Sequence, residues 1–429
     1  MKQNQKIPLA IVADILGTSK KVVNSWSDTK LRAIIDKKNG KKFFHIDELR
    51  SFPSASFLFE TNWEEEERIK PKRSFKIIEL FAGAGGLALG LEKAGFQSLL
   101  LNEIDSDACE TLKKNRINWN VENCDVKEYD FTRFKNKVDL LTGGFPCQAF
   151  SYAGKKLGFN DTRGTLFYEF ARAVKETNPK VILAENVKGL VSHNSGKTLE
   201  TIKDIIDEIG YELVKPETLK AIFYKVPQKR ERIFLVAIRK DLSRFANFKY
   251  PAKYPKIFTL RDALKKGALF KNDVPRSEGQ LYPQRKKEIL SQVPQGGYWR
   301  DLPDNLQREY MRGSYFLGGG KTGLARRLSW DEPSLTLTCA PAQKQTERCH
   351  PDETRPLTFR EYARIQTFPD EWQFCGSLSS IYKQIGNAVP VNLAYAVGRS
   401  LVNLLNEIEN CEIQNSNLKE FNFNELKAS

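Results

Sequence analysis

Short apolar stretches alternate with helical segments between residues 76 and 239, and this alternation constrains the fold more than any other feature. The stretches read KIIELF, SLLLNE, VDLLTGG, KVILAEN and RIFLVAIR. Strands separated by helices are typical of a parallel sheet with helices on both faces. The sequence therefore predicts an α/β, doubly wound fold of the Rossmann-like type, in which chemistry lies at the carboxyl ends of the strands.

The regions before and after these alternating segments differ from them in composition and are predicted to form separate domains or linkers. The stretch EEEERIKPKR is a charge run without apolar periodicity, which is typical of a linker. The segment after residue 245 loses the strand rhythm and is rich in Gly, Pro, Arg and aromatic residues. The predicted parts are an N-terminal module (1–55), a linker (56–74), a catalytic domain (75–245 and 375–408), an irregular smaller domain (246–374) and a polar tail (409–429).

The N-terminal module has the spacing of two short helices joined by a turn. Apolar residues recur at helical intervals from Leu9 to Leu16, and Gly17 ends the helix. Ser19 can cap a second helix, with Val22, Val23 and Trp26 facing inward. This helix would carry Lys20, Lys21 and Asn24 on its outer face.

A basic hairpin is predicted to follow, because Asn39-Gly40 lies between two pairs of lysines. The two helices and this wing resemble the winged-helix heads of the excisionase and MerR type, whose second helix reads a DNA groove. On this reading Lys20, Lys21 and Asn24 contact DNA, and the module binds the promoter of its own operon independently of the rest of the chain. The alternative is a small helical cap with solvated lysines.

Composition narrows the function classes. Lys and Arg outnumber Asp and Glu by 68 to 53, which favours a polyanionic partner such as nucleic acid. No apolar run approaches the ~18 residues of a membrane span, and the first residues lack a secretory signal, so a cytoplasmic protein is expected. The seven cysteines are odd in number and form no CxxC pair, which argues against a disulfide framework and against a zinc cluster.

A glycine-rich turn and two acids suggest a nucleoside-type cofactor. Gly83, Gly85 and Gly86 follow the strand KIIELF and precede a helix, so a ligand could approach the backbone closely. Glu103 ends the next strand and could accept hydrogen bonds from ribose hydroxyls, and Asp125 follows the third strand region and could bind an adenine amino group. A tight structural turn is the alternative for the glycines alone.

Candidate chemical groups follow the next strands. Cys147 lies in the Pro-stiffened loop GGFPCQ, Glu185 ends another strand, and Arg230 and Arg232 begin the last one. Together they would offer a nucleophile, an acid and fixed cations at the cofactor edge. The alternatives are a buried inert thiol for Cys147 and a surface salt-bridge cluster for the arginines.

These motifs, taken in order, resemble the cytosine-5 DNA methyltransferase family over roughly residues 75–405. The matching blocks are FAGAGG, GGFPCQAFS, GFNDTRGTLF, ENVKGL, VPQKRERIFLVAIR, RPLTFREYARIQTFPD and QIGNAVPVNL. Such enzymes transfer a methyl group from S-adenosylmethionine to carbon 5 of cytosine. The resemblance therefore implies an S-adenosylmethionine cofactor, double-stranded DNA as partner, and a target-recognition role for the smaller domain.

The resemblance also assigns roles to residues. Cys147 would be the nucleophile, Glu185 would hydrogen-bond ring nitrogen 3 of cytosine, Arg232 would hold its carbonyl oxygen, and Arg230 would place a phosphate or the cysteine loop. Gln228 would contact DNA. The implied cofactor residues are Phe81, Gly83, Gly85, Gly86, Glu103, Ile104, Asp125, Val126, Pro146, Leu166, Asn387 and Ala388. Position 388 is Ala where some relatives carry a small polar residue, so its backbone N–H is expected to serve. No metal site is implied.

The biological role suggested by the resemblance is protection of DNA from a cognate restriction endonuclease, which would be a partner in function rather than in a complex. The enzyme is expected to act on DNA as a monomer. Two rival functions are methylation of RNA by the same catalytic residues, and DNA-binding regulation with a silent catalytic domain. The substantial smaller domain favours DNA, and the complete set of Cys147, Glu185, Arg230 and Arg232 argues against a silent domain.

Overall fold

The computed structural model describes residues 6–26, 29–36, 40–145, 165–318 and 321–428, with side chains described up to residue 414. The strands are β1 (Lys6–Pro8), β2 (Ile34–Ile35), β3 (Lys42–His45), β4 (Phe75–Leu80), β5 (Phe96–Glu103), β6 (Val121–Asn123), β7 (Leu140–Gly143), β8 (Val181–Val187), β9 (Tyr211–Leu213), β10 (Glu217–Lys220), β11 (Gln228–Lys229), β12 (Glu231–Arg239) and β13 (Ser334–Leu335). The α-helices are α1 (Leu9–Leu16), α2 (Lys20–Ser25), α3 (Trp63–Arg68), α4 (Gly86–Ala94), α5 (Ser106–Asn115), α6 (Leu166–Thr177), α7 (Lys197–Glu208), α8 (Lys240–Ser243), α9 (Leu260–Leu264), α10 (Gln284–Ser291), α11 (Asp304–Met311), α12 (Phe359–Ile365), α13 (Leu378–Asn387) and α14 (Val391–Ala428).

An eight-stranded sheet forms the centre of the fold, in the order β10-β12-β8-β7-β4-β5-β6, with β9 also paired to β12. The five strands from β8 to β6 are parallel, as the sequence predicts. Most of their residues are buried, as expected when helices cover both faces of a sheet. The α/β, Rossmann-like prediction is therefore confirmed.

The last predicted strand departs from the all-parallel expectation. β12 runs antiparallel to β8, with Phe234 opposite Glu185 and Arg232 opposite Val187. A strand of reversed direction begins at the edge where its parallel neighbours end. The antiparallel pairing therefore brings the start of β12, with Arg232 and the preceding Arg230, to the carboxyl-end edge of the sheet.

The segment 375–408, predicted to belong to the catalytic domain, returns to it as α13 and the first part of α14. α14 packs on α4 so closely that a Cβ at Gly90 would collide with the Cβ of Ala394. The stretch Leu378–Gln414 is long and apolar enough to span a membrane by composition, but 78% of its most apolar window is buried inside the protein. That burial is typical of a core helix. The predicted polar tail begins at residue 409, inside α14, whose backbone continues to Ala428.

The N-terminal module contains two short helices and a three-stranded antiparallel sheet in the order β1-β3-β2. Gly17 ends α1 at a φ of 65°, a conformation that favours glycine, and the Ser19 hydroxyl accepts the Val22 N–H at 3.2 Å. Both predicted helix signals are confirmed. The inward position predicted for Val22 is wrong, because its side chain is 37% exposed while Val23 is fully buried. Asn39 of the predicted wing lies outside the described residues.

The predicted linker is an ordered part of the core. Trp63, the first residue of α3, is 1% exposed, and the guanidinium of Arg399 on α14 lies 4.1 Å from its ring centroid. Glu66 accepts the N–H of Ala252 at 3.0 Å. The glutamates lie in the first turn of the helix, where negative charge is favourable. The first half of the charge run, residues 64–68, thus belongs to a helix that one buried tryptophan anchors.

The smaller domain has its own apolar cluster, which includes Leu290, Trp299, Met311 and Cys349. Cys349 is fully buried in this cluster, so this thiol serves packing. The predicted boundary at residue 374 falls inside a continuous core, because Trp372 is 1% exposed and packs on Trp119 with ring centroids 6.0 Å apart.

Candidate active site and cofactor pocket

A cavity of about 680 Å³ opens at the carboxyl ends of β4, β5, β7 and β8. Among the predicted cofactor residues, those that line it are Phe81, Gly83, Gly86, Glu103, Ile104, Asn387 and Ala388. The predicted catalytic residues Glu185 and Arg232 line the same cavity. Its size lies within the ~300–1,000 Å³ range of small-molecule sites.

Glu103 organises the glycine loop at one end of this cavity. Its carboxylate accepts the backbone N–H of Gly83 at 2.7 Å, and also the N–H groups of Ile104 and Asp105 at 2.9 Å each. Gly83 has a φ of 55°, and a Cβ there would meet no atom within 4 Å. The glycine is therefore explained by its backbone conformation and its open face toward the cavity, which a ligand can approach closely.

Gly86 has a different role, because a Cβ there would collide with the carbonyl oxygen of Val389. This glycine lets α4 begin directly against the segment that leads into α14. The Ala388 N–H was expected to serve the cofactor, but it donates to the carbonyl oxygens of Gln384 at 3.2 Å and Ile385 at 3.3 Å. That expectation is wrong in this structure, because the N–H belongs to the C-terminal cap of α13.

Four predicted cofactor residues are not among the described residues that line the cavity: Gly85, Asp125, Val126 and Leu166. A Cβ at Gly85 would lie 2.6 Å from the Cδ2 atom of Leu112, so this position serves packing. The Asp125 carboxylate accepts the N–H of Lys127 at 3.0 Å, and Val126 is 3% exposed. Leu166 begins α6 and packs on the core.

The structure adds polar cavity residues that the sequence reasoning missed. Glu79 is 2% exposed, and its Oε2 atom has no hydrogen-bond partner within the described part of the chain. Burial, reinforced by the nearby charge of Glu103, raises the pKa of this carboxyl well above its usual value. Lys383 and Asp105 form an ion pair at 2.8 Å on the cavity wall. The signal for Glu79 was its place two residues before Phe81, at the end of a buried strand.

Glu185 and Arg232 form the polar centre of the opposite wall. The Nε atom of Arg232 lies 2.7 Å from the Oε1 atom of Glu185. The antiparallel pairing of β8 and β12 brings these two side chains together. Burial raises the pKa of Glu185, although the positive charges of Arg232 and Arg230 act in the opposite direction. A carboxyl in such surroundings can hold a proton at higher pH than an exposed one, as a general acid must.

Arg230 is buried behind this pair, with its guanidinium 3.4 Å from the carbonyl oxygens of Leu337 and Asn387. Burial lowers its pKa to about 9, which still leaves it charged at neutral pH. Its described contacts connect β12 with the smaller domain and with the end of α13. Arg230 is thus placed to position these elements around Arg232.

The prediction that Gln228 contacts DNA is wrong in this structure. Its side chain is fully buried: the amide donates to Gln366 at 2.8 Å, and its oxygen accepts the N–H of Leu337 at 3.0 Å. The backbone of β11 pairs in parallel with β13, with Gln228 opposite Ser334. Gln228 therefore attaches the smaller domain to the catalytic domain.

Asn186 holds the chain next to Glu185. Its Nδ2 atom donates to the carbonyl oxygen of Phe145 at 2.8 Å. A Cβ at Gly144 would lie 3.1 Å from the Oε2 atom of Glu185, so the loop approaches the acid closely. The next residues, Pro146 and the predicted nucleophile Cys147, lie outside the described residues.

The predicted DNA contacts of the N-terminal module have different environments. Lys20 forms an ion pair with Glu332 of the smaller domain at 2.5 Å. Lys21 and Asn24 are exposed on α2. Lys20 is therefore engaged within the protein, whereas Lys21 and Asn24 are accessible to a ligand.

The cavity fits the cofactor that the sequence resemblance implies. The open glycine backbone, the Glu103 carboxylate and the unpartnered Oε2 atom of Glu79 offer hydrogen-bonding groups to a polar nucleoside-containing ligand. Ile104 lines the cavity with a side chain that is 67% exposed, which offers an apolar surface for a base. Within the described residues there is no group of three or more His, Cys, Asp or Glu side chains placed to hold a metal ion.

Comparison with known proteins identifies the family. The profile of the C-5 cytosine-specific DNA methylases matches residues 75–403. Type II methyltransferase M.Eco47II of Escherichia coli is 64% identical over 94% of this chain and 97% of its own length. Type II methyltransferase M.Sau96I of Staphylococcus aureus is 50% identical over 79% of this chain and 78% of its own length. The match with M.Eco47II omits only 6% of the chain, so it extends into the N-terminal 74 residues that precede the family match.

Solved structures share the same fold. A putative DNA modification methyltransferase encoded within an Escherichia coli prophage superposes with a TM-score of 0.60 at 25% identity, covering 78% of this chain and all of that one. The DNMT2 protein of Spodoptera frugiperda gives a TM-score of 0.54 at 19% identity, covering 78% of this chain and 99% of that one. The chain therefore belongs to the C-5 cytosine-specific DNA methylases, and it is a DNA (cytosine-5) methyltransferase that uses S-adenosylmethionine as methyl donor.

Proposed function

We propose that the enzyme methylates a cytosine flipped out of duplex DNA, through a covalent adduct between Cys147 and carbon 6 of the base. The observation that carries this proposal is the largely buried pair of Glu185 and Arg232 on the wall of the cofactor cavity, 2.7 Å apart. An acid beside a fixed cation can bind both polar edges of a cytosine ring, namely ring nitrogen 3 and the carbonyl oxygen at carbon 2.

The proposed steps begin with attack of the Cys147 thiolate on carbon 6, which forms a sulfur–carbon bond. The electrons of the 5,6 double bond are displaced through carbon 4 toward nitrogen 3. Glu185 gives a proton to nitrogen 3, so that the adduct is a neutral enamine. S-adenosylmethionine supplies the electrophilic methyl group that carbon 5 accepts. A base then removes the proton from carbon 5, the 5,6 double bond re-forms, the sulfur leaves, and Glu185 recovers its proton.

Arg232 and Asn186 support this chemistry by position. Arg232 is held against Glu185, so its remaining guanidinium N–H groups can donate to the carbonyl oxygen of the base. Asn186 fixes the carbonyl of Phe145, two residues before Cys147, next to the same acid. Because carbon 6 cannot be reached inside a stacked duplex, the cytosine must be extruded at a cost of ~a few kcal/mol.

The biological role that we propose is methylation in a type II restriction system, where the modified sequence is protected from a cognate endonuclease. The naming of M.Eco47II and M.Sau96I as type II methyltransferases supports this role. We further propose that the enzyme acts in the cytoplasm, as a monomer on its DNA, with the endonuclease a partner in function and not in a complex. Binding of promoter DNA by the N-terminal module stays a prediction.

The proposal is tested by trapping the adduct. The genomic positions of 5-methylcytosine in an expressing host first identify the target sequence. Duplex DNA with 5-fluorocytosine at that position is then incubated with the wild-type enzyme and S-adenosylmethionine. We expect a covalent complex in denaturing gels, because fluorine at carbon 5 cannot leave as a proton does. Methylation without a complex would contradict the adduct, and methyl transfer to tRNA in place of duplex DNA would favour the RNA function.

Glu103→Ala is expected to weaken S-adenosylmethionine binding about 10- to 100-fold, because a charged hydrogen bond contributes roughly 1.5–3 kcal/mol. The variant also releases the N–H of Gly83. Calorimetric titration of the full-length protein measures the effect. The matched control is Glu110→Ala, an exposed acid on the adjacent α5. Equal affinity in the two variants would show that Glu103 shapes the loop without binding the cofactor.

A further inference from the structure

A second cleft, of about 540 Å³, lies between the N-terminal module and the catalytic edge of the sheet. One wall is the end of α1 and the turn that follows it, with Asp14, Gly17 and Thr18. The opposite wall comes from the end of β8, the end of β10 and the start of β12. Among its described lining residues are five cationic and two anionic side chains: Lys188, Lys220, Lys229, Arg230, Arg232, Asp14 and Glu231. The cleft is therefore suited to an anionic ligand.

The N-terminal module is held in this position by ion pairs that cross the interface. Asp14 lies 2.9 Å from Lys229 of β11. Lys20 and Lys41 contact Glu332 and Asp331 of the smaller domain at 2.5 and 2.7 Å. Side chains of the module also share one apolar cluster with the catalytic domain. The Phe57 ring, just beyond the module, packs on Phe223 at 5.1 Å between centroids. The module is thus docked at the mouth of the active site by contacts to both domains.

Lys220 is the cation best placed to bind a ligand in this cleft. Lys188 and Lys229 are paired with Glu231 and Asp14 at 3.0 and 2.9 Å. Within the described part of the chain, Lys220 has no carboxylate within 4 Å and is only half-buried. Its Nζ atom lies 3.8 Å from where a Cβ of Gly17 would be, so the ammonium group faces the turn of the module.

The cleft is continuous with the proposed base-binding site. Val187 and Arg232 line both this cleft and the cofactor cavity. A cytosine that enters the cavity leaves its sugar and phosphates outside, and successive phosphates of one strand are only a few ångströms apart along the helix axis. The strand that carries the cytosine must therefore pass close to this cluster of cations.

We propose that this cleft binds the phosphodiester backbone of the DNA strand that carries the target cytosine, with Lys220 contacting a phosphate and the Gly17–Thr18 turn forming the opposite wall. The proposal rests on the proposed binding of cytosine at Glu185 and Arg232. It makes the N-terminal module a third side of the substrate cleft, beside the catalytic and smaller domains. Phosphate contacts of this kind set the register of the strand and carry no sequence information themselves.

The first test measures equilibrium binding of full-length variants to a duplex that contains the mapped target sequence. Lys220→Ala is expected to weaken binding about tenfold and to reduce the slope of log affinity against log salt by about 0.9, because one phosphate contact is lost. Lys220→Arg keeps the charge and is expected to keep most of the affinity. Lys215→Ala, at an exposed lysine five residues away, is the matched control and is expected to bind as the wild type does.

The second test locates the contact on the DNA. Methylphosphonate groups replace single phosphates near the target cytosine, which removes one charge at a time. At one position the methylphosphonate is expected to weaken binding of the wild type about tenfold, comparable with the loss of a charged hydrogen bond. The same replacement is expected to have little effect on Lys220→Ala, which has already lost that contact. If the two losses add at every position, Lys220 contacts none of these phosphates and the proposal is wrong.

The third test concerns the wall formed by the module. Thr18→Glu puts a carboxylate opposite Lys220 and is expected to weaken DNA binding at least as much as Lys220→Ala. Thr29→Glu, at an exposed threonine beyond α2, is the control. The proposal is overturned if Thr18→Glu binds like Thr29→Glu or if Lys220→Ala binds like Lys215→Ala. A wild type that binds duplex DNA but is not trapped by 5-fluorocytosine would contradict the covalent mechanism and leave these comparisons interpretable.

Discussion

Cys147→Ala is expected to abolish methyl transfer, with a loss of roughly 10⁴-fold or more, and to form no covalent complex with 5-fluorocytosine DNA. The physical reason is that carbon 5 of cytosine is a poor nucleophile until a thiolate adds to carbon 6. Alanine removes that thiolate and introduces no new reactive group. Tritium transfer from labelled S-adenosylmethionine measures the rate, and denaturing gels measure the adduct.

Cofactor affinity separates a chemical loss from a folding defect. The variant is expected to bind S-adenosylmethionine as the wild type does, because the described cavity wall comes from other residues. Cys411→Ala, a half-buried thiol on α14, is the control and should be trapped normally. A Cys147→Ala protein that is still trapped would show that another residue is the nucleophile.

Glu185→Gln is expected to slow methyl transfer by ~10²–10⁴-fold, the range for loss of a positioned general acid. Glutamine has nearly the same shape and its oxygen can still face Arg232, but it cannot give a proton to the ring. Because burial raises the pKa of Glu185, its protonated form persists to higher pH than that of an exposed glutamate. The wild-type rate should therefore fall as pH rises through this pKa, and the variant should lack that dependence.

Single-turnover kinetics over a pH series test this prediction directly. Glu217→Gln, an exposed acid on β10 of the same sheet, is the control and is expected to keep the wild-type rate and pH profile. Cofactor affinity of Glu185→Gln should stay within about threefold of wild type, well below the tenfold effect of 1.4 kcal/mol. A Glu185→Gln enzyme with an unchanged rate would rule out proton transfer by this residue.

Most of the cofactor pocket could be predicted from sequence because its groups lie at the ends of local elements. Gly83 follows β4 and Glu103 ends β5, and parallel strands end at one edge of the sheet. The same argument predicted Asp125 in the pocket beside them. In the structure the Asp125 carboxylate instead accepts the N–H of Lys127 in the following turn. Position after a strand identifies the edge, whereas the direction of a side chain depends on the turn that follows.

The family, the parallel part of the sheet and the short helices of the N-terminal module could be predicted from local patterns, since glycine stops, caps and apolar spacing act over a few residues. The tertiary structure was needed to establish the direction of β12, which brings Arg232 to Glu185, and the burial of Gln228. It also decided that Trp63 anchors the expected linker and that Asp14, Lys20 and Lys41 dock the module on the other domains. These outcomes depend on partners that are distant in the sequence, and local patterns contain no information about such pairings.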